Sequence, residues 1–99
     1  MSAYIISDVS IRDSEAMQIY RTRAATSIAQ YGGRYLARGG AVSRLEGDWN
    51  PQTIIVVEFP DAEQAQTWYR SPEYAYALQV RDEALSRNLI LVEGVAATP

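Results

Sequence analysis

Two charged residues, Arg38 and Glu58, occupy apolar segments that are predicted to be β-strands, where a charge is costly unless it is paired. An arginine can bind an anionic or enolate oxygen, and a carboxylate can transfer a proton. Beside the arginine Glu58 would stay ionised, whereas away from it desolvation would raise the pKa of Glu58 and favour an acid or base role. We therefore take Arg38 and Glu58 as candidate catalytic residues, with a structural ion pair as the alternative.

Whether these two side chains meet depends on the register of their strands. Folding the chain about the middle of the loop at residues 45–52 places Arg38 opposite Phe59. Glu58 then lies on the other face of the sheet. A β-bulge at Gly39-Gly40 shifts this register by one residue and brings Arg38 beside Glu58. The pairing is therefore a hypothesis that depends on a bulge at this glycine pair.

Four further side chains are candidate substrate contacts. Tyr35 offers a hydroxyl for a substrate. Arg81 lies on the inward stripe of the last predicted helix. It either contacts an anion at the edge of a cleft or extends its charged end to solvent or to Glu93. Trp68 and Tyr74 flank a predicted helix kink, although aromatic clusters at helical spacing more often belong to a core than to a ligand site.

The residue types that are missing narrow the chemistry further. The 99 residues include no His and no Cys, and because all nine basic residues are Arg, Lys is absent too. This removes thiol and lysine nucleophiles, Cys/His metal sites, haem ligation by His or Cys, and the histidine base of a serine nucleophile. We therefore expect neither a metal nor a cofactor.

The elements that position these residues follow from hydrophobic periodicity and from cap and turn residues. Asp13 is the predicted N-cap of a helix that ends at Gly32-Gly33. Asp61 begins a second helix, which Ser71-Pro72 restarts after a kink. Strands are predicted at residues 4–9, 53–59 and 89–93, and a further strand starts near Arg34 and either ends at Gly39-Gly40 or continues to Arg44. The order β-α-β-β-α-β predicts an α+β, ferredoxin-like sandwich with a four-stranded antiparallel sheet, formed as one domain by residues 1–99 with a loose tail at residues 96–99.

Two features of the strands bear on assembly. In the second strand, Arg34 and Arg38 have the same parity and are expected on one face. The third and fourth strands are apolar at both odd and even positions, which indicates that both faces of the sheet are buried. Two helices cover one face, and the simplest cover for the open face is a second copy of the same sheet, which predicts a C2 homodimer. Trp49, in a polar loop, covers the cleft or contacts the partner subunit.

Charge and hydropathy disfavour other partners. The net charge of −3 gives no attraction to nucleic acid or anionic lipid, and the third strand lacks the basic, aromatic pattern of RNA-binding domains. No apolar run approaches the length of a membrane span, and the first residues lack the pattern of a signal peptide. We expect a cytoplasmic protein without nucleic-acid or membrane partners.

Several short segments, taken together and in order, give the chain a resemblance to domain-of-unknown-function family 1330. They span nearly the whole chain and are Gly32-Gly33-Arg34-Tyr35-Leu36-Ala37-Arg38-Gly39-Gly40, Leu45-Glu46-Gly47, Glu58-Phe59, Trp68-Tyr69-Arg70-Ser71-Pro72-Glu73-Tyr74, Arg81 and Leu91-Val92-Glu93-Gly94. The resemblance implies the dimeric α/β-barrel form of the ferredoxin-like fold. It assigns no activity.

Two functions remain for such a barrel. The first is cofactor-independent acid/base chemistry on, or binding of, a small organic molecule (anionic ones included) in a cleft, with Arg38 on an oxyanion and Glu58 as the proton-transfer group. The alternative is a non-catalytic ligand-binding or protein-interaction module with a structural Arg/Glu pair. An enclosed polar pocket at Arg38 favours the first function, and a filled core favours the second. Monooxygenases of this fold usually rely on residues such as His, whose absence lowers the expectation of an oxygenase without excluding it.

Overall fold

The computed structural model describes residues 1–96, which form a four-stranded antiparallel sheet covered on one face by helices. The elements are β1 (Ala3–Ile11), α1 (Ser14–Gln30), β2 (Arg34–Arg38), β3 (Thr53–Phe59), α2 (Ala62–Tyr69), α3 (Pro72–Leu78), α4 (Arg81–Ala84) and β4 (Leu85–Glu93). The strand order across the sheet is β2-β3-β1-β4, and every neighbouring pair is antiparallel. This confirms the α+β, ferredoxin-like fold. The expected tail lies, from residue 97 onward, outside the described residues.

The helices begin where the sequence placed their caps. The side chains of Asp13 and Asp61 accept hydrogen bonds from the backbone N–H three residues later, at 2.8 and 2.7 Å. Ser71 does the same for α3, whose first residue is Pro72. The kink near residue 70 is therefore a break between α2 and α3.

The last helical stripe is shorter than expected. Tyr74 and Leu78 lie on α3, but Arg81 belongs to the separate four-residue helix α4, and Leu85 is the first residue of β4. The expectation that Arg81 lies on the inward stripe of the last predicted helix is therefore wrong, because the chain turns after Leu78. As a result β4 is four residues longer at its start than the predicted strand, which places Arg87 within the sheet.

The core lies between the helices and the face of the sheet that carries the odd-numbered residues of β1. Successive side chains of a strand alternate between faces, and in β1 the residues Ala3, Ile5, Ser7 and Val9 are buried. Trp68 packs between the rings of Phe59 and Tyr74, with ring centroids 5.3 and 4.1 Å away. The larger core side chains include Met17, Tyr20, Ile28, Val57, Phe59, Trp68, Tyr74 and Leu85. Tyr69, whose ring lies beside that of Trp68, is 43% exposed.

Within residues 1–96, no helix or strand covers the opposite face of the sheet. Ile6 pairs with Val56 on one side and with Ile90 on the other, so these side chains form one apolar strip. Ile90 and Val92 are 55% and 41% exposed. We call this the open face. Among residues 1–96, no helix has both the length and the apolar character required to cross a membrane.

Candidate functional site

A β-bulge at Leu36 separates the two arginines of β2. Arg34 pairs with Glu58 and Tyr35 with Val57, but the register then shifts by one residue, so that Arg38 lies opposite Ile55. Arg34 therefore projects from the open face and Arg38 from the helix-covered face. The expectations that they share a face and that the bulge falls at Gly39-Gly40 are both wrong. Gly39, at a φ of 76°, follows the end of the strand instead.

Glu58 is held by Arg34 and not by Arg38. The Nε atom of Arg34 lies 2.7 Å from Oε1 of Glu58, and the two side chains are 73% and 19% exposed. The hydrogen bond from Arg34 holds the pKa of Glu58 below its ordinary value of 4.5. The hypothesis that Arg38 pairs with Glu58 is therefore wrong, and Glu58 lacks the raised pKa that an acid role would require.

Arg38 lies at the edge of the helix-covered face. Its guanidinium carbon is 4.4 Å from the centre of the Tyr35 ring, a cation–π contact. Burial raises the pKa of Tyr35 above its ordinary value, and the positive charge of Arg38 partly offsets that effect. The structure thus brings Arg38 and Tyr35 together and places both on the face opposite Glu58.

A small cavity lies between the sheet and the helices. Its volume is about 30 Å³, and its lining combines apolar side chains with Ser7, Tyr20, Tyr35, Trp68 and Arg87. A cavity needs roughly 10–15 Å³ to hold one water molecule, so this cavity has room for a few waters at most. The interior of the described chain is therefore nearly filled.

Arg87 is clamped by two tyrosines beside this cavity. Its Nη1 atom donates to the hydroxyl oxygen of Tyr20, and its Nη2 atom donates to that of Tyr74, each at 2.6 Å. The two hydroxyl oxygens are also hydrogen-bonded to each other at 2.7 Å. We call Tyr20, Tyr74 and Arg87 the tyrosine–arginine cluster.

The cluster carries a positive charge without a carboxylate. Among residues 1–96, no acidic side chain lies within ion-pair distance of Arg87. Burial acts to lower the pKa of Arg87, but the two tyrosines outweigh it, and the net pKa is raised. Burial also raises the pKa of Tyr74 far above its ordinary value. Arg87 therefore stays positive and Tyr74 stays protonated throughout the neutral range.

The hydrogen-bonding capacity of the cluster is not used up within it. Arg87 supplies two donors to the phenol oxygens, and one hydroxyl then donates to the other. The second hydroxyl proton has no acceptor among the three residues. A guanidinium has five N–H donors, of which Arg87 uses two here. The cluster can therefore donate to an oxygen atom placed next to it.

The predicted substrate contacts divide into two groups. Tyr35 and Trp68 line the cavity and Tyr74 belongs to the cluster, so these three lie close together. The indole N–H of Trp68 is already bound to the hydroxyl of Ser27. Arg81 does not line the cavity, and its ion pair at 3.3 Å is with Asp82 and not with Glu93.

Neither Arg87 nor the role of Tyr20 is predicted from the sequence. Arg87 precedes the predicted last strand at residues 89–93, and Tyr20 lies within the first predicted helix. Strand alternation is the signal that identifies Arg87. Its position is odd-numbered, as are those of Leu85 and Leu89, so all three side chains face the helices.

Trp49 lies on the other side of the sheet. Its indole N–H donates to Oδ2 of Asp8 at 3.0 Å, and Asp8 is on the open face of β1. Trp49 therefore lies on the face opposite the tyrosine–arginine cluster, and its roles as a cover of the cleft or as a contact with a partner subunit stay predictions. Within residues 1–96 no group of three or more His, Cys, Asp or Glu side chains is placed to hold a metal ion.

The family model described as "Domain of unknown function (DUF1330)" matches residues 2–95. Comparison with curated protein sequences gave no match.

Solved structures share the fold at low sequence identity. RPA0582, a protein of unknown function from Rhodopseudomonas palustris, superposes with a TM-score of 0.77 at 19% identity, over 96% of this chain and 83% of that one. SnoaB, a cofactor-independent oxygenase from Streptomyces nogalater, gives 0.68 at 11% identity over 99% and 97%. A dimeric protein of unknown function with a ferredoxin-like fold from Bacteroides fragilis gives 0.61 at 17% identity over 94% and 96%.

Proposed function

The chain belongs to the DUF1330 family of domains of unknown function, and we propose that it binds and activates a small organic molecule through a negatively charged oxygen at Arg87. The observation that carries this proposal is the half-buried guanidinium held by two phenols without a carboxylate partner among the described residues. A positive charge fixed in a partly desolvated site stabilises an oxyanion more strongly than it would in water.

The proposed chemistry needs no cofactor. SnoaB, which shares the fold, is a cofactor-independent oxygenase, and an enolate or phenolate is the kind of anion that Arg87 would stabilise. Tyr74 stays protonated and acts as a hydrogen-bond donor, not as a base. Because the cluster contains no carboxylate, it favours a ligand that is already an anion at neutral pH or that ionises readily on binding.

The earlier candidate residues take different roles in this proposal. Tyr35 and Trp68 line the wall of the site, and Arg38 fixes the position of Tyr35 by stacking on it. Arg81 is an outer contact. Glu58 lies on the opposite face. Its ion pair with Arg34 helps to fix the register between β2 and β3, and Glu58 takes no part in proton transfer in this proposal.

We also propose that the chain is a homodimer formed through the open face. The apolar strip of Ile6, Ile54, Val56, Ile90 and Val92 supports this, since two of its members are more than two-fifths exposed in the single chain. The Bacteroides fragilis protein with the same fold is described as dimeric. Pairing of two such faces would bury the strip and leave the tyrosine–arginine cluster, on the other face, in each protomer.

One observation favours the alternative of a non-catalytic interaction module. The cavity beside the cluster holds only about 30 Å³, which is far below the 300–1,000 Å³ typical of small-molecule pockets. A ligand at Arg87 must therefore approach from outside the cavity or displace side chains. A protein without any small-molecule ligand would leave the cluster as a structural link between α1, α3 and β4.

A chromogenic phenol separates the two functions. The absorbance of 4-nitrophenol reports its ionisation, so a site that stabilises the anion lowers the apparent pKa of the bound dye. Wild type should show this shift, and Arg87→Met should lose it. Arg23→Met is the matched control, because Arg23 stacks on Tyr76 on the outer surface of the helices. Absence of binding, or binding that survives in Arg87→Met, would contradict the proposal.

A further inference from the structure

An open groove of about 350 Å³ lies on the outer side of Arg87 and is distinct from the interior cavity. Its polar lining is supplied mainly by Arg12, Arg81, Asp82, Ser86 and Arg87. We call it the arginine groove. Its volume falls within the usual range of small-molecule sites, whereas that of the interior cavity does not.

Backbone contacts hold Arg12 at this groove. The backbone N–H of Arg12 donates to the carbonyl of Ala84 at 2.8 Å, which ties the end of β1 to the end of α4. Its Nη1 atom donates to the carbonyl oxygen of Asp82 at 3.1 Å. These two contacts fix where the guanidinium lies while leaving its charge without a carboxylate partner among residues 1–96.

The charge of the groove is opposite in sign to that of the whole chain. Three arginines line it against one acidic residue, whereas the full chain has a net charge of −3. The acidic residue, Asp82, is paired with Arg81 at 3.3 Å, but its side chain is 89% exposed, so water weakens the pair. The groove therefore keeps an excess of positive charge that favours anions.

Arg87 connects the groove to the tyrosine–arginine cluster. It lines both the groove and the interior cavity, as do Leu85 and Leu89. Two of its N–H donors are bound to Tyr20 and Tyr74. The others are available to a molecule lying in the groove, which would have Arg87 at its inner end and Arg12 and Arg81 along its outer part.

We propose that the arginine groove is an outer anion subsite, and that the ligand is a small molecule with two acidic groups: an ionisable oxygen at Arg87 and a carboxylate at Arg12 and Arg81. This inference rests on the proposed function, because it takes the inner contact at Arg87 as given. A hydroxy acid or an enolisable keto acid fits this description. Arginine suits the outer role because its planar guanidinium can bind both oxygens of a carboxylate.

A pair of matched dyes tests the outer subsite. 4-Nitrophenol carries the ionisable oxygen alone, and 5-hydroxy-2-nitrobenzoate is the same chromophore with an added carboxylate. Wild type should bind the carboxylated dye about tenfold more tightly, as expected for one charge-assisted hydrogen-bonded contact. Arg12→Gln and Arg81→Gln should each reduce that preference, and added salt should do the same. Arg70→Gln, an exposed arginine outside the groove, should leave it unchanged.

The outcomes distinguish this inference from the proposed function. Equal affinity for the two dyes, or a preference that persists in both groove variants, overturns the outer subsite and leaves the role of Arg87 intact. A preference for the carboxylated dye that Arg87→Met does not alter overturns the proposed function and the two-group ligand together. Failure of wild type to bind either dye overturns both. Using two groove variants guards against a folding defect in one of them, and circular dichroism verifies that each is folded.

Discussion

The hydroxyl oxygens of Tyr20 and Tyr74 lie 2.7 Å apart, although 54 positions separate the two residues in the chain. Tyr20 is supplied by α1 and Tyr74 by α3, and these helices pack against each other. Arg87 reaches the same point from β4 and donates to both oxygens. Three elements that are distant in sequence thus meet in one hydrogen-bonded cluster, on the face of the sheet opposite the proposed dimer interface.

Removing a phenol oxygen from the cluster should cost stability. Tyr74→Phe leaves Arg87 with one of its two phenol partners in a buried setting, and hydrogen bonds to charged groups contribute about 1.5–3 kcal/mol. We expect a loss of that order in the free energy of unfolding, measured by denaturant titration. Tyr76→Phe, at a tyrosine that is 53% exposed, should change it by less than about 0.5 kcal/mol. Equal effects of the two substitutions would show that the cluster contributes nothing to stability.

Acid should weaken the fold partly through Glu58. Its pKa is below 4.5 in the folded chain, so the unfolded chain binds a proton more readily. The contribution of Glu58 is therefore complete above about pH 4.5 and is lost as the pH falls through the folded-state value. Glu58→Gln should give a shallower fall in unfolding free energy below that pH. Some slope remains, because the hydrogen bond from Tyr31 lowers the pKa of Glu73 as well. An acid profile identical to that of wild type would show that Arg34 does not hold Glu58.

A charge on the open face should prevent dimerisation. Ile90→Asp places a carboxylate in the apolar strip, where two copies of it would face a desolvated interface. Light scattering should then report a monomer for this variant and a dimer for wild type. Ile19→Asp is the control, because Ile19 is 46% exposed on α1, away from the open face. A dimer that persists in Ile90→Asp would place the interface elsewhere.

The close packing at Gly33 should not tolerate a methyl group. A Cβ atom there would lie 2.8 Å from Ile28 and from the ring of Phe59, both of them core residues. Gly33→Ala should lower the free energy of unfolding by about 1–3 kcal/mol through overpacking. Gly40→Ala meets nothing within 4 Å and should have little effect. Equal thermal midpoints for the two variants would mean that the junction between α1 and β2 shifts to accommodate the methyl group with little loss of stability.

The fold could be predicted from the sequence because its signals are local. Cap residues fix the starts of α1, α2 and α3, and β-branched runs fix β1 and β3. The family resemblance pointed to the same architecture. What failed was register: the bulge was expected at the glycines, but it lies at Leu36, which has no residue preference that marks a bulge.

The site was less predictable than the fold, and for a related reason. A one-residue shift in register moves the side chains of a strand to the other face of the sheet. Because the bulge was expected at Gly39-Gly40 and not at Leu36, Arg38 was predicted on the face that carries Glu58. Placing the start of β4 at Leu89 likewise hid the inward parity of Arg87. The contact between Tyr20 and Tyr74 depends on how α1 packs against α3, which no local pattern encodes.

The most direct test of the account is the stability of Arg87→Met measured together with its binding of 4-nitrophenol. Arg87 is a partly buried cation with no carboxylate partner among residues 1–96. Replacing it by an apolar side chain of similar length should change the free energy of unfolding by less than about 1 kcal/mol, because no unpaired charge is left behind and the two tyrosines keep their mutual hydrogen bond. The lowered apparent pKa of the bound dye should disappear at the same time. A variant that is strongly destabilised, or that still binds the dye as the anion, would contradict the claim that Arg87 serves a ligand.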